Sequence, residues 1–240
     1  AELSALGAEA MFCKADVLDR EALIAAQEAI IEKWGRIDVL INAAGGNMPG
    51  ATIMPDKNIF DLDIEAYRKS LEHIKSVCPA FKYKTAINHA EFVGEFGKDI
   101  YDFAPYISAM FSEYDKLMGF RAEMPDKRFL YYVCGFPEVP NNLLRSELID
   151  GYYIGILCAY AKMDGFLRWS YTCWSDSPLE DQRYGVLPVG DLCFVYPSKT
   201  GKPMLSLRWK SLFRGVRFFT LLKMAENRGL DKSLDEAYSL

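Results

Sequence analysis

The stretch ADVLDREALIAAQEAIIEKWGRIDVLINAAGG, residues 15–46, alternates between apolar strand patterns and one amphipathic helix. A short apolar run over 8–17 predicts a strand, Asp19 is suited to cap a helix, and residues 20–34 repeat apolar side chains at helical spacing. The run IDVLINAAGG (37–46) is continuously apolar and ends in small residues, which is typical of a parallel strand buried on both faces. The order β-α-β predicts an α/β fold class.

Strand and helix patterns keep alternating after this stretch, in sequence that is richer in aromatic residues. The patterns predict strands at 82–88, 99–105, 129–134, 164–171 and 192–196, and helices at 63–77, 112–122, 145–161 and 205–227. Alternating units of this kind form a mostly parallel sheet, which is either open or closed into a barrel.

Composition limits the partners and the metals that the chain is expected to bind. With 28 basic and 33 acidic residues the formal charge is -5, so a nucleic acid or an anionic membrane is not expected as a partner. Six cysteines and two histidines form no zinc-site spacing, which predicts free thiols and no metal ligands. A neutral small molecule is therefore the expected partner.

The N-terminal part resembles the middle of a short-chain dehydrogenase/reductase over residues 1–69. The residues that carry this resemblance follow the family's order and spacing; they are Asp16, Val17, Asn42, Ala43, Ala44 and Gly45. The resemblance implies that the first two touch the adenine of NAD(P) and that the others let the dinucleotide approach the backbone. Taken singly, each has a plainer interpretation as a strand end or a tight turn. The continuation over 45–69 is similar to mannonate or fructuronate oxidoreductases.

Two elements of dehydrogenase chemistry do not occur in the sequence. No Gly-x-Gly-x-x-Gly is found, and none of the fourteen tyrosines has a lysine four residues later. The resemblance implies that such a lysine lowers the pKa of a catalytic tyrosine. No cofactor is therefore expected, unless the first fragment retains NAD(P) binding.

Residues of about 64–240 resemble the C-terminal barrel part of a glycoside hydrolase family 123-type protein. The matching stretches are EAYRKSLEHIKS (65–76), FLYYVCGFPEVPNN (129–142), MDGFLRWSYTCW (163–174) and GDLCFVYPSKTGKPMLSLRWKSLFRG (190–215). The resemblance implies catalysis by an adjacent Asp-Glu pair shortly before the first of these stretches. PDKNIFDLDI (55–64) stands there instead, so no catalytic residue is assigned.

Several residues at predicted strand ends are candidates for contact with a sugar. Trp169 and Trp174 follow a strand end, where their indoles suit the apolar faces of pyranose rings, and Asp191 enters the next strand. Asn88 and His89 end another strand, where they suit hydrogen bonds to hydroxyl groups. Tyr132 and Asn142 match family positions around the next loop. Core packing for the tryptophans and a structural role for His89 remain the alternatives.

The predicted fold is a Rossmann-like β-α-β fragment, domain 1–68, joined to part of a (β/α) barrel, domain 69–240; together the strands allow a composite barrel. The predicted function is that of a catalytically incomplete protein of glycosidase descent that binds N-acetylhexosamine-type sugars. An oxidoreductase fragment acting on sugar acids and an inert or engineered fusion remain alternatives. Exposed strand edges make self-association an expectation. Without a signal-peptide pattern the chain as given is expected to be cytoplasmic, whereas the parent hydrolase can be exported.

Overall fold

The computed structural model of the chain describes residues 7–15, 19–38, 64–168, 170–185 and 187–230, together with Lys232 and Glu236. The chain divides into two compact units, Ala1–Asp63 and Ile64–Leu240. These units are defined by contacts within the structure, whereas the predicted domains 1–68 and 69–240 were defined by family resemblance. The domain assignment therefore stays a prediction.

Helix α1 of the first unit spans Arg20–Trp34, as predicted from the sequence. The Asp19 carboxylate caps its N-terminus by accepting a hydrogen bond from the Ala22 N–H at 3.1 Å. The helix ends at Gly35, whose φ of 75° is a left-handed conformation that glycine adopts without steric cost. The Gly35 N–H donates to the Ile31 carbonyl at 2.7 Å and closes the last turn.

The prediction of a strand over 8–17 is wrong for residues 8–15, which are irregular. A strand needs a neighbour to pair with its backbone groups, and the described residues of this unit include no strand beside 8–15. The strand predicted over 37–46 begins with Ile37 and Asp38, which are irregular, and continues into residues that lie outside the described part.

A four-stranded parallel sheet forms the centre of the second unit. Its strands, in their order across the sheet, are β1 (Lys84–Ile87), β2 (Asp102–Pro105), β3 (Arg128–Tyr132) and β4 (Gly165–Leu167). The register places Thr85 opposite Phe103 and Leu130 opposite Gly165. Since β1 and β4 lie at the two ends of this row, the sheet is open over the described residues and does not close into a barrel.

Helices precede, connect and follow the parallel strands, as the alternating pattern predicts. They are α2 (Ile64–Val77), α3 (Glu91–Phe96), α4 (Ile107–Ser112), α5 (Tyr114–Glu123), α6 (Leu148–Tyr160) and α7 (Leu207–Glu226). A short antiparallel pair, β5 (Val195–Tyr196) and β6 (Met204–Leu205), precedes α7. The helix predicted over 112–122 is α5, which Glu113 separates from α4 because its backbone is not helical, with φ -122° and ψ 24°. Helices α3 and α4 were not predicted.

The core of this unit lies between the sheet and its helices. Phe103 and Phe129 are fully buried on neighbouring strands, with ring centroids 5.8 Å apart. Tyr131 is also fully buried, and its hydroxyl donates to the Ile154 carbonyl in α6 at 2.7 Å. This bond satisfies the polar end of a large core side chain, whose burial would otherwise carry a desolvation penalty.

Helices α6 and α7 cross at a contact between glycines. A Cβ atom on Gly155 would lie 2.0 Å from the Gly215 carbonyl oxygen, and one on Gly151 would lie 2.9 Å from the Leu212 nitrogen. The two backbones therefore approach closely only because these positions carry no side chain. Beside the crossing, the rings of Tyr152 and Phe218 pack with centroids 5.1 Å apart.

Among the described residues, no helix has both the length and the apolar character that crossing a membrane requires.

Candidate functional site

The carboxyl ends of β1, β2 and β3 bring together an amide and two phenols. Asn88 follows β1, Tyr106 follows β2 and Tyr132 ends β3. The Tyr132 hydroxyl donates to Asn88 Oδ1 at 3.0 Å, and the rings of Tyr106 and Tyr132 have centroids 5.2 Å apart. Polar groups thus gather at the sheet edge where parallel α/β proteins place their sites. Of the predicted sugar contacts, Asn88 and Tyr132 are brought into direct contact.

The two phenols remain hydroxyl groups at neutral pH. Burial raises the pKa of Tyr106 to about 12 and that of Tyr132 to about 12, because a phenolate is poorly stabilised away from water. The Tyr106 hydroxyl donates to the Phe136 carbonyl at 2.7 Å, so it is held by the loop after β3. Both groups serve as hydrogen-bond donors rather than as bases.

His89 stands next to Asn88 and is held by a glutamate from another element. Its Nδ1 lies 3.2 Å from Glu113 Oε1, and Glu113 Oε2 accepts a hydrogen bond from the Ala90 N–H at 2.8 Å. The side chain of His89 is 41% exposed, whereas that of Glu113 is 17% exposed. The sequence pattern did not identify Glu113, because nothing local indicates that the joint between α4 and α5 turns a carboxylate towards β1.

A third acidic residue completes a group of possible metal ligands. Donor atoms of His89, Glu91 and Glu113 all lie within 4.8 Å of one another. The Lys116 ammonium binds Glu91 Oε1 at 2.6 Å, and this hydrogen bond, the largest cause, lowers the pKa of Glu91 below its usual value. An imidazole and two carboxylates suit a divalent cation such as Zn²⁺, which would have to compete with Lys116. The expected absence of a metal stays a prediction.

Asp191 is not open to solvent but buried beside a guanidinium. Its Oδ1 lies 3.0 Å from Arg168 Nη1, and the two side chains are 1% and 7% exposed. Burial lowers the pKa of Arg168, and the charge of Asp191 opposes this shift. Arg168 Nη2 also donates to the backbone carbonyls of Gly190 and Asp191. Asp191 therefore forms a buried ion pair with Arg168. Its role in sugar binding stays a prediction.

Asn142 lies in the loop after β3 and is 1% exposed. Its N–H donates to Asn141 Oδ1 at 2.7 Å, and its carbonyl accepts from Arg208 Nη1 at 2.5 Å. Its Nδ2 has no hydrogen-bond partner among the described residues. The backbone of Asn142 therefore anchors the buried guanidinium of Arg208, and a role of Asn142 in sugar binding stays a prediction.

Trp174 presents an indole at the surface of the second unit. Its Nε1 donates to the Val195 carbonyl at 2.8 Å, and the residue is 38% exposed. One end of the indole is thereby fixed while part of the ring stays accessible, as stacking on a sugar requires. Trp169, which was predicted to contact the sugar together with Trp174, lies outside the described residues.

The predicted nucleotide-binding residues also lie outside the described part of the chain. They are Asp16, Val17, Asn42, Ala43, Ala44 and Gly45. Their roles therefore stay predictions.

An apolar groove that the sequence pattern did not predict opens beside the sheet edge. It has a volume of about 960 Å³ and lies between α4, the loop after β3 and α6. Its lining includes Phe111, Phe136, Val139, Tyr153 and Tyr160, which are all at least 48% exposed. Apolar residues of this kind suit a buried core equally well in the sequence pattern. Only the structure shows that they line a groove at the surface.

The parallel sheet with helices between its strands places the chain in the class of α/β proteins, which commonly place their sites at the carboxyl edge of such a sheet. Within that class, the chain belongs to the family described as glycoside hydrolase 123, catalytic domain, whose family model matches residues 48–225. A similar solved structure is a family 123 glycoside hydrolase from Clostridium perfringens, analysed for glycolipid glycan hydrolysis. It has a TM-score of 0.60 and 21% identity, and the match covers 75% of this chain and 32% of that chain. This likeness shows a shared fold.

The N-terminal part has a different likeness. A family model described as short chain dehydrogenase matches residues 1–77. An uncharacterized oxidoreductase, UxuB of Bacillus subtilis, is 41% identical over 71 residues, which are 30% of this chain and 22% of that protein. The 7alpha-hydroxysteroid dehydrogenase of Escherichia coli is 37% identical over 54 residues, which are 22% of this chain and 21% of that protein. The chain thus spans about a fifth of the length of these oxidoreductases.

Proposed function

We propose that this chain is a carbohydrate-binding protein of glycosidase descent that recognises N-acetylhexosamine-type sugars and is catalytically incomplete. The observation that carries the proposal is the hydrogen bond from Tyr132 to Asn88, which fixes an amide and a phenol at the carboxyl edge of the sheet. An exposed, oriented amide suits the hydroxyl and acetamido groups of such a sugar. The glycolipid glycan hydrolysis of the Clostridium perfringens relative supports a carbohydrate as the ligand class.

The tryptophans supply the apolar half of the proposed recognition. Trp174 has a partly accessible ring whose nitrogen is already bonded to the Val195 carbonyl. Stacking of a pyranose face on such a ring contributes on the order of 1 kcal/mol. Trp169 and Asp191 belong to the same proposed wall, Asp191 through the position that it gives to Arg168.

The proposed lack of catalysis follows from the carboxylates at the sheet edge. Glu113 is bonded to Ala90 and His89, Glu91 is bonded to Lys116, and Asp191 is buried beside Arg168. A substrate-assisted glycosidase needs a proton donor and a second carboxylate next to each other at the glycosidic bond. Glu91 and Glu113 lie within 4.8 Å of one another, but each is already engaged, and neither belongs to the adjacent Asp-Glu pair that the family resemblance implies.

Sugar binding is tested by tryptophan fluorescence during titration with N-acetylgalactosamine. We expect a saturable change, a several-fold weaker affinity in Trp174→Ala and in Tyr132→Phe, and an unchanged affinity in Trp34→Phe, which removes an indole of the other compact unit. A parent protein without a saturable change would refute the proposal. Equal affinities in Trp174→Ala and the parent would remove the tryptophan from the site.

A second candidate function is that of an NAD(P)-binding oxidoreductase fragment, favoured by the 41% identity to UxuB over 71 residues. Adenine contacts by Asp16 and Asn42 would give weak binding without turnover. Because a ligand of the native state raises stability by mass action, a melting-temperature screen with NAD(P) and with N-acetylhexosamines separates the two candidates. A rise with NAD(P) alone, abolished by Asn42→Ala, would favour the oxidoreductase fragment.

Self-association is part of the proposal because β1 ends the described row of strands. An unpaired parallel edge presents backbone donors and acceptors to another chain. A concentration-dependent sedimentation coefficient is the expected result in analytical ultracentrifugation, and a constant value would contradict it.

A further inference from the structure

The Glu113 carboxylate is fixed on both of its oxygens. Oε2 accepts from the Ala90 N–H at 2.8 Å, and Oε1 lies 3.2 Å from His89 Nδ1. The backbone of Glu113 is also fixed, because its N–H donates to the Ala109 carbonyl at 3.0 Å and its carbonyl accepts from Leu117 at 3.0 Å. A carboxylate that is bonded at both oxygens and carried by a bonded backbone has little freedom to turn towards solvent.

The other charged groups near the imidazole do not replace Glu113 as its partner. Glu91 has a donor atom within 4.8 Å of the imidazole, but Lys116 binds its carboxylate at 2.6 Å. Glu113 is also the less exposed of the two carboxylates, since their side chains are 17% and 45% exposed. The hydrogen bond of Nδ1 is therefore accepted by a fixed and largely shielded anion.

This arrangement determines which nitrogen of the neutral imidazole carries the proton. An anionic acceptor at Nδ1 favours a proton there, and the lone pair then lies on Nε2. In the part of the chain that the structure describes, Nε2 of His89 has no hydrogen-bond partner, and the side chain is 41% exposed. The free nitrogen is thus an acceptor that is open to a ligand.

We propose that Glu113 is a positioning residue that holds His89 in the Nδ1-protonated form, so that Nε2 accepts a hydrogen bond from a hydroxyl group of the bound sugar. The inference rests on the proposed function and deepens it. Asn88, the preceding residue, has its Oδ1 occupied by the Tyr132 hydroxyl, which leaves its Nδ2 as a donor. The end of β1 then offers one acceptor and one donor on consecutive residues, a combination that suits a polyhydroxylated ligand.

The first experiment reads the protonated nitrogen directly from ¹⁵N–¹H correlation spectra of the imidazoles, recorded where both rings are neutral. The chain has only two histidines, and His73 in α2 is an internal reference. We expect a protonated Nδ1 and an unprotonated Nε2 for His89. Glu113→Ala should remove this preference, whereas Glu123→Ala, at the exposed end of α5, should leave it unchanged. An Nε2-protonated His89 in the parent would overturn the inference.

The second experiment follows the His89 Nε2 signal during titration with N-acetylgalactosamine in the presence of EDTA. We expect this signal to move on binding while His73 stays constant, and Glu113→Ala to weaken the affinity between about two- and tenfold, as for one net hydrogen bond. Glu113→Gln, which keeps one acceptor oxygen, should recover part of the loss. Sugar binding without movement of the His89 signal would overturn the inference alone. No sugar binding by a parent with the expected protonation would overturn the proposed function and the ligand role of His89, but not its positioning by Glu113.

Discussion

Arg168 and Asp191 form an ion pair in the interior of the second unit, with Nη1 and Oδ1 3.0 Å apart and side chains 7% and 1% exposed. Arg208, 6% exposed, brings a second guanidinium close enough for its charge to lower the pKa of Arg168. Both guanidinium groups lie over the Phe194 ring, at 5.0 and 5.3 Å from its centroid. The carboxylate therefore compensates positive charge that would otherwise be buried alone, and it joins the end of β4 to the segment before β5.

Breaking this pair should be strongly destabilising. Asp191→Asn leaves Arg168 charged in the interior, and we expect a loss of about 3–5 kcal/mol in the free energy of unfolding. Replacing both partners by apolar residues, Arg168→Met with Asp191→Leu, should cost less than the single change. Urea denaturation followed by circular dichroism measures both variants. A single variant within about 1 kcal/mol of the parent would contradict the buried pair.

The glycine contact between α6 and α7 should not tolerate a methyl group. Gly155→Ala would place Cβ 2.0 Å from the Gly215 carbonyl oxygen, so the helices must separate, and we expect a loss of at least about 1–3 kcal/mol. Gly119→Ala is the matched control, because it lies in helix α5 and its Cβ would meet nothing within 4 Å. The control should stabilise the protein by up to about 1 kcal/mol, and thermal unfolding should move in opposite directions in the two variants. Equal shifts would refute the close crossing.

Asp102 should make stability depend on acid pH. Burial by itself raises its pKa, but hydrogen bonds from Arg128 and Lys84 outweigh this effect, so the pKa lies below the usual 3.8. A lowered folded-state pKa contributes stability that is present above the unfolded-state value and is lost as the pH falls through the folded-state value. We therefore expect Asp102→Asn to melt lower than the parent at pH 7, and the difference to shrink below about pH 4. A difference that stays constant down to pH 2.5 would exclude this carboxylate as the cause.

The chain should be a very poor hydrolase of β-N-acetylgalactosaminides even where it binds them. General acid assistance is worth about a hundred- to ten-thousandfold in rate, and no adjacent acidic pair stands at the position that the family resemblance implies. Release of nitrophenol from the aryl glycoside is the measurement, with Asp63→Asn and Glu65→Gln as variants near the junction. Robust turnover that these substitutions abolish would show an active site rebuilt at the junction.

The local features were predictable because their causes lie within a few residues of one another. Asp19 and the apolar spacing of 20–34 predict α1, and the structure confirms both. In contrast, the strand predicted at 8–17 depends on a partner that the described residues do not supply, so apolar character alone was insufficient. Helices α3 and α4 also escaped the pattern, because each has only six residues and so short a segment shows little helical periodicity.

By itself the sequence determined the alternation of strands and helices and the candidates Asn88 and His89 at a strand end, since hydrophobic periodicity is a local property. Only the tertiary structure decided their partners. His89 meets Glu113 across 24 residues, Asn88 meets Tyr132 across 44, and Arg168 meets carbonyl groups across 22 and 23. Such contacts depend on strand register and helix packing, which many sequences with the same periodicity would set differently. The open apolar groove and the buried position of Asp191 have the same origin.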